Sequence, residues 1–166
     1  MYKRVVVPLD GSELAEGILP IASQIAGPLD LEVVLLRVLQ PITPIIDETA
    51  RSIVVDDLES RRARAREYLV SMGVELTARG LRVQSQVRVG DPAAEVVAAA
   101  HEVDADLIAM TTHGRSGLGR LLFGSVAEAV LRRSEVPVLL IRLTEKQVAA
   151  GRSKESPAGA AHAASP

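Results

Sequence analysis

Four stretches of this chain are almost unbroken in apolar residues: Arg4–Leu9 (RVVVPL), Leu31–Val38 (LEVVLLRV), Ala105–Thr111 (ADLIAMT) and Val136–Arg142 (VPVLLIR). Runs of this length and character suit strands covered on both faces, the condition of a parallel sheet. A fifth segment, Leu81–Val89, alternates Leu81, Val83, Val87 and Val89 with Arg82, Gln84, Gln86 and Arg88. One of its faces is therefore wet, which places it at a sheet edge. Helical patterns fill the gaps. Ser12 caps a helix with Leu14, Ile18, Ile21 and Ile25 on one stripe, which Pro20 kinks or breaks. A long helix from about Asp57 to Ala78 puts Leu58, Ala65, Leu69, Met72 and Leu76 on one face, with Gly80 as its stop. Asp91-Pro92 opens a third helix, and Ser125-Val-Ala-Glu128 has the capping-box pattern that opens a fourth. Strands alternating with helices predict an α/β fold: an open, five-stranded, mostly parallel sheet with helices on both faces.

At 166 residues the chain is one domain with a tail. From Thr144 onward it is rich in Ala, Gly, Ser and Pro, so residues 144–166 are expected to be disordered and the domain to end at 143. Residues 39–54 form a Pro-rich connection long enough to act as a flap. No apolar run reaches the ~18 residues of a membrane span. The opening MYKRVVVPLD has neither the long apolar stretch nor the cleavage site of a signal peptide, so a cytoplasmic location is the expectation. The chain contains no cysteine, hence no disulfide, thiolate nucleophile or Cys-based metal site. A net charge of −2 argues against a nucleic-acid partner, and one Phe, two Tyr and no Trp leave little for stacking single-stranded bases.

The chemistry concentrates between Met110 and Arg142. A loop with glycine at 114, 117, 119 and 124 leaves the fourth strand and delivers the backbone to a helix start at Gly124-Ser125. Backbone N–H groups converging on a helix N-terminus suit an anion, usually a phosphate. Pro8-Leu9-Asp10-Gly11-Ser12 ends the first strand, and in open α/β sheets ligands sit beyond such strand ends where the strand order reverses. If the first and fourth strands are neighbours, Asp10 and the glycine loop face one crevice. The carboxylate can then accept two ribose hydroxyls, or it can serve only as a helix cap or turn brace.

Gly119-x4-Gly124-Ser125 has Walker A spacing but no lysine follows, and Gly117-Leu-Gly119 lacks the third glycine of a dinucleotide fingerprint. His113 has no triad companions nearby, and neither a GxSxG elbow nor an HExxH pair is present, so it reads as a loop-orienting residue. His101 and His162 have no metal-like spacing. Arg61, Arg62, Arg64 and Arg66 share their helix with Asp56, Asp57, Glu59 and Glu67 and read as a solvated, salt-bridged face. Ser125 can spend its hydroxyl on capping its own helix. Glu128 then sets a negative charge near any phosphate, against which Arg115 and Arg120 stand as counter-charges.

The order Thr111, Thr112-His113, Gly114, nine residues, Gly124-Ser125 resembles the ATP-binding signature of universal stress proteins: Gly, two residues, Gly, nine residues, then Gly-Ser or Gly-Thr. KRVVVPLDGS and Val136–Arg142 are similar to that family's first and last strands, and the likeness covers residues 1–143. It implies the adenine nucleotide alpha hydrolase-like fold with sheet order 3-2-1-4-5. It also implies that Pro8, Leu9 and Asp10 contact the nucleoside, with Asp10 on the ribose and Val38 beside adenine. Gly114, Gly124, Ser125 and Val126 would surround the ribose and phosphates. The ligand would be ATP or another adenine nucleotide, with Mg²⁺ held through its phosphates. One position departs from the signature: Thr111 stands where its first glycine belongs and adds β-branched bulk along the ligand's path.

In the implied order Val136–Arg142 is the second sheet edge. A wholly apolar edge needs a cover, which an identical strand of a second copy supplies, as the family resemblance also implies. The reading is a stress-response homodimer that binds an adenine nucleotide as a regulatory ligand; binding orders the glycine loop and the 39–54 flap and so changes what the dimer presents to an unidentified protein partner. No catalytic residue is assigned. The alternatives are slow ATP hydrolysis or phosphoryl transfer through Asp10 or His113 with a metal, and a nucleotide-free dimeric signalling module in which Thr111 has closed the pocket.

Overall fold

The computed structural model describes residues 3–41, 48–113 and 124–143, and their side chains except at 48–57 and 113. Five strands form one sheet: β1 (Arg4–Pro8), β2 (Glu32–Leu39), β3 (Arg82–Val89), β4 (Leu107–His113) and β5 (Val138–Leu143). All neighbours are parallel and the order is β3-β2-β1-β4-β5. The alternating segment is thus an edge strand and the expected 3-2-1-4-5 order is the observed one.

Five helices connect the strands: α1 (Glu13–Glu16), α2 (Leu19–Leu29), α3 (Glu48–Ala78), α4 (Pro92–Glu102) and α5 (Ser125–Arg133). The successive valines of β1 feed two cores, because side chains alternate across a strand. Val5 and Val7 pack with Leu35 of β2 under Ile18, Leu69 and Leu76 on the α2–α3 side. Val6 packs with Leu36 and Ile108 under Val96, Ala99 and Val130 on the α4–α5 side. Each such fully buried Val or Leu contributes about 1.5–3 kcal/mol, so the central strands carry much of the stability. β3 keeps its polar face partly employed: Arg88 bonds Glu95 at 2.6 Å and Glu102 at 2.7 Å, tying the edge to α4.

Of the two outcomes expected at Pro20 the break is the one observed: the helix after Ser12 ends at Gly17-Ile18, ahead of Pro20. Pro20 has no N–H for the Glu16 carbonyl and its ring would clash there, so Pro20 begins a new helix instead of kinking an old one. Other local expectations are corrected. The buried stripe here is Ile18, Leu19, Ala22 and Ala26, with Ile25 packed partly buried beside them, while Leu14 and Ile21 are not in that core. The long helix starts at Glu48, so residues 48–54 belong to α3 and not to a flap. Glu48, Ala50 and Arg51 are good helix formers beyond the last proline of that connection, Pro44. Residues 42–47 lie outside the described residues, as do 114–123 with Gly114, Arg115 and Arg120, and the tail from 144. At its other end α3 stops as expected. Gly80 adopts φ +83°, its N–H reaches Thr77 O, and Leu81 N–H reaches back to Leu76 O. Among the described residues no helix is long and apolar enough to cross a membrane.

Candidate functional site

The chain moves outward from β1 to β2 and β3, then returns to the far side of β1 to build β4 and β5. The crossover helices diverge at this reversal, α1–α3 to one face and α4–α5 to the other, and leave a crevice at the carboxyl ends of β1 and β4. A cavity of about 470 Å³ occupies it, within the range of small-molecule sites. Pro8, Leu9, Thr111 and Thr112 line its floor. Asp10, Ser12, Leu14, Arg37 and Arg61 stand on one side, and Val38, Met110, Pro92 and Val96 on the other. Gly124, Ser125 and Val126 complete it at the start of α5. Pro8, Leu9, Asp10, Val38, Thr111, Gly124, Ser125 and Val126 therefore come together as the sequence reading grouped them. His113 ends β4, its side chain outside the described residues.

Asp10 sits in a turn whose shape needs glycine next to it. Gly11 has φ +80°, and a Cβ there would meet Arg37 Nη1 at 3.0 Å. The Asp10 Oδ1 atom accepts from the backbone N–H of Ser12 at 2.9 Å and from its hydroxyl at 2.5 Å. Ser12 Oγ in turn accepts from Ala15 N–H at 3.1 Å, capping α1. Desolvation alone would raise the Asp10 pKa, but the Ser12 bonds and the Arg37 charge outweigh it and hold the carboxyl below its ordinary value. The turn-brace reading of Asp10 is thus the one observed: its Oδ1 atom braces the turn. Asp10 itself lines the cavity.

Across the cavity, Gly124 is the N-cap of α5, and among the described residues no side chain caps it. Ser125 is the first helical residue rather than the cap, so the expected capping box does not form. A residue already inside the helix cannot fold its hydroxyl back onto the N–H groups ahead of it. Glu128 pairs instead with Arg132 at 2.6 Å, an i,i+4 pair on the helix surface. The N–H groups of the first turn have no intrahelical acceptor and carry the positive end of the helix dipole. Gly124 N–H is held by Thr112 Oγ1 at 3.2 Å, which pins the end of β4 to the start of α5. Among the described residues Thr112 is the buried polar one, only 4 % exposed, and sequence reasoning missed it.

Strand alternation separates the two threonines. Met110 packs in the α4–α5 core, whereas Ala109, and Ile141 paired with Thr111, pack on the α2–α3 side. Thr112 accordingly projects toward α5 and Thr111 away from it.

Two arginines also escaped the sequence reading. Arg61 lines the cavity and donates to the Gln40 carbonyl at 2.9 Å, which corrects the solvated-face reading for this one residue. Arg62 pairs with Glu59 on the surface and Arg64 and Arg66 are exposed, as expected. Arg37 donates to Leu9 O at 3.3 Å and lies 5.9 Å from the Tyr68 ring centroid.

The sheet order and the crevice at its reversal define a doubly wound α/β domain of the adenine nucleotide alpha hydrolase-like fold. Residues 1–142 match the universal stress protein family, and the chain belongs to that family. It is 32% identical over 149 residues to the universal stress protein MJ0531 of Methanocaldococcus jannaschii, across 89% of this chain and 86% of that one. Among solved structures, MJ0577 of the same organism superposes with a TM-score of 0.75 at 29% identity, covering 87% of this chain and 99% of that one. A universal stress protein in complex with cAMP superposes with a TM-score of 0.62 at 29% identity, covering 85% and 97%.

Proposed function

We propose that this chain binds an adenine nucleotide, ATP among them, as the regulatory ligand of a homodimer. The observation that carries this reading is the pairing, across one cavity, of the Asp10 carboxylate and the start of α5, whose N-cap is a glycine with no side-chain cap among the described residues. A ribose presents two hydroxyl donors and a phosphate presents acceptor oxygens, so the two ends complement the two halves of a nucleotide. Asp10 takes the ribose, Pro8 and Leu9 border the nucleoside, and Val38 lies beside adenine. Gly114, Gly124, Ser125 and Val126 surround the phosphates, with His113 orienting the loop between. Thr111 points away from α5, so its bulk does not oppose the phosphates. The cAMP complex of a relative supports the ligand class.

Mg²⁺ enters this reading through the nucleotide phosphates, with no protein side chain assigned as its ligand. The half-buried apolar edge Val138–Ile141 supports pairing of β5 with its copy in a second subunit.

Calorimetric titration with Mg·ATP, AMP and cAMP, beside Asp10→Ala and Thr111→Gly, tests the proposal. Binding by the natural chain that Asp10→Ala weakens is the expected result. Binding by Thr111→Gly alone would return the nucleotide-free module, and phosphate release above the Asp10→Ala control would return the hydrolase.

A further inference from the structure

We propose that Arg37 is the positioning residue of this site: from beside the Leu9–Ser12 turn it keeps the Asp10 carboxylate presented to the cavity, and Tyr68 keeps Arg37 in place. This rests on the nucleotide reading above.

The bonds from Ser12 fix the internal shape of the turn, since both partners lie in it. They do not fix how the turn sits on the sheet. That falls to whatever holds Leu9 and Gly11. Leu9 N–H bonds Leu36 O at 2.8 Å, and the Leu9 carbonyl accepts from Arg37 Nη1 at 3.3 Å. Gly11 lies directly against the same guanidinium, with Nη1 and Nη2 at 3.0 and 3.4 Å from the place of a Cβ. Arg37 therefore touches the turn on both sides of Asp10 without lying in it.

Arg37 is itself anchored. Its neighbours Leu36 and Val38 pack on the α4–α5 core, so alternation sends the Arg37 side chain to the α1–α3 face. There it lies over the Tyr68 ring of α3, and the Tyr68 hydroxyl donates to Glu16 Oε1 of α1 at 2.9 Å. The β1–α1 turn, β2, α3 and α1 are thus closed into one loop of contacts around Asp10. A planar fork that donates, stacks and packs edge-on at once is a task for arginine, which lysine's single ammonium cannot perform. Its positive charge also favours the ionised Asp10. The charged or titratable groups around this cluster are Arg37 of β2, Glu16 of α1, and Tyr68 and Arg61 of α3.

The test uses the full chain and Arg37→Met, which keeps the stem but not the charge or the donors. Arg37→Gln, neutral but able to donate, serves as the second variant should the Met variant not fold. Two quantities are read: the pH midpoint of the Asp10 side-chain carboxyl by carbon NMR in the ligand-free protein, and the affinity for AMP by calorimetry. The expected result is an Asp10 midpoint moved to higher pH together with AMP binding weakened about tenfold, the size of one charge-assisted hydrogen bond. An Asp10 titration unchanged in a folded variant would overturn the proposal, as would unchanged affinity for AMP. Should the natural chain bind no nucleotide, the nucleotide reading falls by itself, and the ligand-free Asp10 titration alone decides the role of Arg37.

Discussion

Replacing Thr112 by valine isolates the contact that holds the two halves of the site together. Thr112 is 4 % exposed and its Oγ1 accepts the Gly124 N–H at 3.2 Å. Valine has nearly the same shape, so no cavity opens, and the whole effect is the lost bond plus an N–H left without an acceptor. Because Gly124 is half-buried, water reaches that N–H only in part, and the cost is about 1–2 kcal/mol. For a chain of this size, at ~2–4 °C per kcal/mol, the Tm falls by ~2–8 °C. The start of α5 is no longer pinned to β4, so a nucleotide must order it on binding, and affinity falls about fivefold to tenfold. Thr112→Ser is the opposite perturbation. It keeps the acceptor and loses a buried methyl, so stability drops by about 1 kcal/mol while affinity is retained. Thermal unfolding and calorimetric titration of both variants separate the two effects. If Thr112→Val binds nucleotide like the natural chain, or if Thr112→Ser loses affinity as much as Thr112→Val does, the reasoning is wrong.

Three further outcomes follow from the same contacts. Burial, and then the bond to Glu16, raise the Tyr68 pKa above its ordinary value of about 10. Its contribution is therefore complete below pH ~10 and lost as pH rises, when the unfolded chain ionises first; in Tyr68→Phe the alkaline decline in urea stability is shallower. Asp106 is shifted the other way by the N–H groups of Lys3 and Arg4, which reach its Oδ2 at 2.5 and 3.0 Å. Its contribution is present above pH ~4 and lost on acidification, so Asp106→Asn flattens the acid limb of an unfolding-versus-pH series. Gly11→Ala forces a side chain into φ +80° and against Arg37, and costs about 1–2 kcal/mol or more by urea unfolding. A stability equal to the natural chain's would show that the turn is not held as tightly as described.

Much of the architecture could be read along the chain because it rests on short-range rules. A strand covered on both faces must be apolar at every position, and an edge strand with one wet face must alternate; β1, β2, β4 and β3 announce themselves in this way. Asp91 caps α4 by accepting from Ala94 N–H at 2.9 Å, and Gly80 ends α3, both within a few residues of where the sequence places them. The start of α3 at Glu48 was less legible. Pro41 and Pro44 disfavour a helix running through them but do not mark where the next one begins.

The site divides along the same line. Its backbone parts, the turn after β1 and the start of α5, carry sequence signals because glycine and cap residues are demanded locally. The side chains that support it do not. Arg61 belongs to a run that reads as solvated, and only the rotation of α3 against the sheet brings that one arginine to the cavity. Arg37 looks like a stray charge in a mostly apolar strand until pairing with β1 lays it beside Leu9 and Gly11. Thr112 and Thr111 are indistinguishable in composition, and the parity of β4 alone sends one toward α5 and the other away. The sequence by itself determined which segments are strands, which are helices and where the chain turns. Hydrogen bonding and steric preference act over a few residues, and periodicity reports them. The tertiary structure alone decided which of those segments meet, because strand order and register bring residues distant along the chain to within a hydrogen bond of one another.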